Sequence, residues 1–151
     1  MPELKSRLQA DLNTAMKARD ELTTATLRMA LTAITTEEVA GKQARELADD
    51  EVVKVLTHEA KKRREAAEAF DAAGRAELAQ RERAEGTVLD TYLPSQLDDA
   101  ELSGLVRAAI AESGATAPNQ LGAVMRLIVP KVAGRADGKR ISDEVRRQLS
   151  G

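Results

Sequence analysis

Apolar residues recur every three or four positions along this chain, and no stretch alternates convincingly at the two-residue period of a half-buried strand. Leu4, Leu8, Leu12 and Met16 form one stripe, and Leu27, Leu31 and Ile34 a second. Val52, Leu56, Ala60, Ala67 and Phe70 form a third. This periodicity predicts an all-helical protein. Phe70 and Tyr92 are the whole aromatic set among 151 residues, so the core must be built from Leu, Val, Ile, Met and Ala. Met16, Met29 and Met125 sit on apolar stripes and read as core packing.

Turn and cap residues divide the pattern. Pro2 suits a first helical turn. A second helix follows Asp20-Glu21 and is expected to run to Gly41, where a left-handed cap favours glycine. Asp49 or Asp50 is the expected N-cap of a long third helix. A tight break at 72–75 leads to a fourth helix, from about Ala76 to Pro94, which cannot continue it. These four helices predict an antiparallel N-terminal domain over residues 1–93. A smaller helical C-terminal domain is expected over 94–151. There, Asp98-Asp99 caps a helix closed by Gly114, and a second helix is ended or bent by Pro130. Ser142 can cap a last helix carrying Val145 and Leu149. The turn between Gly134 and Gly138 calls for positive φ at one or both glycines.

Composition removes many kinds of chemistry. The absence of cysteine excludes disulfides, thiolate catalysis, Cys-bound zinc and iron–sulfur clusters. The single histidine, His58, excludes a His–His metal site and is expected at the surface. No metal or cofactor is expected. No run reaches the ~18 apolar residues of a membrane span, and the first residues lack the apolar core of a leader peptide. A soluble cytoplasmic protein is the expectation. Gly134-Arg135-Ala136-Asp137-Gly138-Lys139-Arg140 approaches a phosphate-binding loop, but its glycines are too close and no Ser or Thr follows the lysine.

Charge is unevenly spread. Residues 1–93 hold 15 basic and 18 acidic side chains, whereas 94–151 hold 8 and 7. Between 126 and 147, seven basic residues stand against three acidic ones, a local excess that can attract phosphate. Lys131, Arg135, Lys139 and Arg140 gather around the Gly134–Gly138 turn and are the candidate nucleic-acid contacts. Exposed aromatic residues for stacking single-stranded bases are lacking, so any RNA contact should read shape and phosphates. In the third and fourth helices, stepping by three and four places Arg63 on one seam and Glu82 and Glu85 on the other, between Leu78 and Leu89. Folding back at Gly74-Arg75 sets Phe70 against Leu78 and Arg63 opposite Glu82 or Glu85, the arrangement of a register-fixing ion pair. Paired carboxylates for acid–base catalysis would need raised pKa values, which an adjacent arginine opposes. No catalytic residue is therefore assigned. Lys61, Lys62 and Arg64, interleaved with Glu59, Glu65 and Glu68, read as a solvated face.

Three ordered segments carry a resemblance. They are Leu27-Arg28-Met29; then 59–65 with Phe70, Gly74-Arg75, Leu78, Glu82, Glu85, Leu89 and 92–97; and finally Gly122, Val124-Met125, Pro130-Lys131 and 134–138. In this order the chain resembles the YqeY-like family, related to the tail of the GatB subunit of tRNA-dependent amidotransferases. Ala123 departs from the pattern, standing where a lysine is expected after Gly122. The resemblance implies an all-helical, two-part protein akin to a module that touches tRNA while other domains do the chemistry. It favours a non-catalytic accessory or tRNA-associated module. The alternatives are a protein-interaction module that docks an amidotransferase-like or other assembly, and a C–N ligase or amidotransferase using glutamine as amide donor. The last rests on kinship alone, since no nucleophile, base and ATP site emerge from the residues. Oligomeric state is left open.

Overall fold

A computed structural model describes residues 3–132 and 134–151. Pro2 lies outside the described residues. The protein is all-helical, with no strand among the described residues. Its backbone divides into two units, Met1–Leu93 and Pro94–Gly151.

The first unit holds α1 (Glu3–Lys17), α2 (Glu21–Glu38), α3 (Asp49–Ala72) and α4 (Ala76–Asp90). Leu8, Leu27, Ile34, Val52, Leu56 and Leu89 bury one face of each helix in a common core. The link from α1 to α2 turns sharply on Arg19, which takes a left-handed φ of 57°. The Arg19 N–H donates to the Met16 carbonyl and the Asp20 N–H to Ala15, a Schellman closure with arginine where glycine is usual. The Asp20 carboxylate then caps α2 by accepting from the Thr23 N–H at 3.1 Å. α3 closes in the same way on Gly74, with Arg75 N–H bonded to the Phe70 carbonyl. That tight closure returns α4 alongside α3.

Several boundaries differ from the sequence reading. α2 ends at Glu38, before Gly41, and the left-handed glycines are Gly74, Gly114 and Gly134. The Glu38 carboxylate supplies the reason. It accepts from Lys5 Nζ of α1 at 2.8 Å and from the Leu47 N–H at 3.2 Å, drawing the chain off the helix axis toward α3. α3 is capped at Ala48, whose N–H donates to Glu51. Asp49 instead accepts from the Leu4 N–H. Met16 is exposed, because the buried residue of that turn is Ala15.

The second unit holds α5 (Asp99–Ser113), a 3-10 turn (Pro118–Gln120), α6 (Leu121–Val132) and α7 (Gly138–Ser150). Leu102, Val106, Val124, Ile128, Ile141 and Val145 form its core. Asp98 caps α5 through the Glu101 N–H at 2.7 Å, and Gly114 closes it at φ 72°. Pro130 lies within α6, which runs two residues beyond it. The cap of α7 is Asp137, accepting from the Lys139 N–H at 3.2 Å. Ser142, the expected cap, sits inside α7 and donates to the Lys139 carbonyl. Of the two turn glycines, Gly134 has positive φ and Gly138 begins the helix.

Candidate nucleic-acid interface and the buried ion-pair cluster

Of the four cations proposed for phosphate contact, Arg135 and Arg140 face the start of α5 at Glu101 and Asp99, Lys139 stands beside Arg140 in the first turn of α7, and Lys131, at the end of α6, reaches Glu112 near the far end of α5. Their environments differ. Arg135 donates from Nε to the Ser95 carbonyl at 2.9 Å, while its backbone carbonyl accepts from the Leu97 N–H at 2.8 Å. Arg140 donates from Nη1 to the Leu97 carbonyl at 2.7 Å and from Nη2 to Asp99 at 2.8 Å. Gln96 adds a bond to the Gly134 carbonyl at 3.2 Å. These bonds lace the strap 95–99 to the turn 134–140, so the two arginines are struts as well as charges. Lys131 and Lys139 reach only carboxylates, Glu112 at 2.8 Å and Asp143 at 3.4 Å. Every one of the four side chains keeps 35–82% of its surface exposed, so none is closed to an incoming phosphate. Exposed ion pairs of this kind are worth roughly 0–1 kcal/mol, which a phosphate can displace.

Along α7, Glu144 accepts from Arg147 at 2.5 Å and from Gln148 at 3.0 Å. These bonds hold its carboxyl down to about 2. Arg147 is thereby committed to its own helix. Arg146 lies 3.7 Å from Asp143.

In the first unit, Arg63 is the centre of a carboxylate cluster between α3 and α4. Its guanidinium stands 3.4 Å from Glu82, 3.5 Å from Glu85 and 3.5 Å from Glu59. Burial is deep for such charges: the Arg63 side chain is 19% exposed, and Glu82, Glu85 and Glu59 are 21%, 15% and 8% exposed. Arg63 also points Nη1 at the Met29 sulfur, 2.8 Å away. Gly86 packs beneath it on α4, where a Cβ would come 3.6 Å from the Arg63 Cβ, ordinary contact that leaves little space to spare. The network continues outward. Arg81 bonds Glu85 at 3.1 Å and forks onto both oxygens of Glu21 at 3.0 Å, tying α4 to the start of α2. That fork lowers the Glu21 pKa, the hydrogen bond from Arg81 contributing most.

Two features of this cluster escape the helical stepping. Glu59, read as part of a solvated face, is buried and shared between Lys62 at 3.3 Å and Arg63. Its spacing carries a signal, since it lies three residues after Leu56 and four before Arg63. Leu78, expected against Phe70, is exposed; the buried residues of α4 are Ala79, Gly86 and Leu89. Small residues at the crossing let the helices approach closely and rotate the leucine outward. His58 is exposed on α3, as its spacing implied.

An alkaline-shifted Tyr92 completes the first unit's polar contacts. Its hydroxyl donates to Asp11 at 2.5 Å and its ring lies 4.6 Å beneath the Arg7 guanidinium. Burial, then the bond to Asp11, pushes the phenol pKa up. Among the described residues, no group of three or more His, Cys, Asp or Glu side chains is placed to hold a metal ion, and no helix is long and apolar enough to cross a membrane.

Curated proteins offer no match to this sequence. The model of the Yqey-like protein family matches residues 5–149, nearly the whole chain, and the protein belongs to the YqeY-like family.

Proposed function

We propose that the protein is a non-catalytic accessory module that associates with tRNA through its second unit. What supports this reading is the exposure of Lys131, Arg135, Lys139 and Arg140 along the end of α6, the turn and the start of α7, in a family related to the tail of an amidotransferase that handles tRNA. Arg135 and Arg140, held by carbonyls, present fixed donors. Lys131 and Lys139, each paired to an exposed carboxylate, can exchange that partner for a phosphate. Such a surface reads the shape and charge of a folded RNA rather than its bases.

Salt-dependent binding of the full-length protein to bulk tRNA tests the proposal. Lys131→Gln/Lys139→Gln removes charge without touching the struts, so the melting temperature should hold. The slope of log affinity against log salt should fall by up to about 0.9 per lost contact, less on irregular RNA. An unchanged slope in this variant, or no tRNA binding at low salt, refutes the assignment.

A further inference from the structure

A groove of about 650 Å³ runs between α2 and α3 in the first unit. Glu37 of α2 and Glu51 of α3 line one end; Met29 and Arg63 line the other. The two helices therefore run antiparallel along it. Twelve residue steps of α3 at 1.5 Å each give the groove a length of about 18 Å, three helical turns. Its floor is apolar, from Met29, Ala33 and Val55.

The two rims are chemically unequal. On α3, Lys54, His58 and Lys62 follow one another at four-residue spacing and are exposed, so they form a single row with one side chain per turn. The α2 rim offers Thr32 and Thr36, and the Thr36 hydroxyl is spent on the Thr32 carbonyl of its own helix. Two of the three carboxylates that line the groove are already held. Glu51 is forked by Arg45 at 3.0 and 2.6 Å, and Glu59 is shared by Lys62 and Arg63.

We propose that this groove is the docking site for an amphipathic α-helix of a partner protein, about three turns long, whose apolar edge covers Met29, Ala33 and Val55 and whose acidic side chains, one per turn, face Lys54, His58 and Lys62. The cleft between antiparallel helices receives the ridge of a third helix. Lys54 and the half-exposed Lys62, with the His58 imidazole between them, set the partner's charge and rotational setting. A nucleic acid fits less well. The floor is apolar and has no aromatic ring on which a base could stack.

The test uses the full-length protein and a panel of fluorescein-labelled, helix-stapled peptides of about three turns. Each carries leucine along one edge and glutamate beside it, and each has a twin with lysine for glutamate. Fluorescence anisotropy should show glutamate peptides binding and their lysine twins binding much more weakly. Lys54→Glu/His58→Glu, two exposed positions, should weaken the glutamate peptides by about tenfold or more and improve the lysine twins. Ala33→Arg, which fills the floor, should abolish both, with helical circular dichroism unchanged. The proposal is overturned if no glutamate peptide binds, if the charge twins bind equally, or if Lys54→Glu/His58→Glu lowers tRNA affinity while leaving peptide binding intact.

Discussion

Replacing Arg63 by methionine removes the one cation common to Glu59, Glu82 and Glu85, and the outcome can be worked from the geometry. Glu59 retains Lys62 at 3.3 Å and Glu85 retains Arg81 at 3.1 Å. Glu82 keeps no other ion pair among those described, and its Oε2 lacks a hydrogen bond even in the parent. Removing one partner of a fully buried pair costs about 3–5 kcal/mol, and an exposed pair roughly 0–1. With Arg63 about four-fifths buried and two of its three carboxylates still held elsewhere, the loss should fall near 2–4 kcal/mol. In a unit of 93 residues, that lowers the melting temperature by about 10–20 °C. Arg64→Met, on the exposed side of the same helix, should move it by about 0.5 kcal/mol or less. The long 3.4–3.5 Å separations and the unbonded Arg63 Nε predict a cluster that repays little more than its desolvation. On that expectation its contribution is to α3–α4 register rather than to net stability. Arg63→Met/Glu82→Met should recover much of the lost stability, because matched apolar groups replace the pair. Thermal melts followed by circular dichroism decide the matter. Equal midpoints for Arg63→Met and Arg64→Met refute the reasoning, as does a double variant no more stable than Arg63→Met alone.

Three further outcomes follow from individual contacts. Arg19→Gly relieves a left-handed arginine and should raise stability by about 0.5–1 kcal/mol, seen as a higher melting midpoint; a fall would show that the arginine side chain contributes more than its backbone costs. Tyr92→Phe removes the hydroxyl bonded to Asp11 and should cost about 1.5 kcal/mol, and a double-mutant cycle with Asp11→Asn should return most of that as coupling energy. Hydrogen bonds from Arg147 and Arg45 hold the carboxyls of Glu144 and Glu51 down to about 2, below the ordinary 4.5 of a glutamate. A depressed folded pKa gives stability that is present above 4.5 and lost as pH falls toward 2. Urea midpoints measured across that window should drop less steeply in Glu144→Gln than in the parent.

The helices were legible because their apolar residues repeat at the helical period, which any chain burying one face of each helix must show. Their ends were legible only where a side chain acts locally. Asp98 caps α5 and Gly114 closes it within a few residues of sequence, and both can be read directly. The end of α2 depends on Glu38 reaching Lys5, thirty-three residues earlier, and no local rule contains that contact. The same limit explains Leu78. A stepping rule assigns it to the seam by spacing, whereas the interhelical distance set by Ala79 and Gly86 decides which face of α4 turns inward.

Charge shows the divide most clearly. Composition registers Arg135 and Arg140 as two positive charges in a basic stretch, equivalent to Lys131 and Lys139. The fold separates them, because the acceptors for the arginines are the Ser95 and Leu97 carbonyls, which carry no sequence signature. An arginine can spend part of its planar fork on a carbonyl and keep its charge exposed, whereas a lysine offers a single mobile point. A surface built of both ties its strap with the arginines and leaves the lysines, paired only to exposed carboxylates, to exchange partners. That division of labour would also make the two pairs respond differently to mutation. Loss of the lysines changes the field at the surface, while loss of the arginines first loosens residues 95–99, the strap that leads into α5.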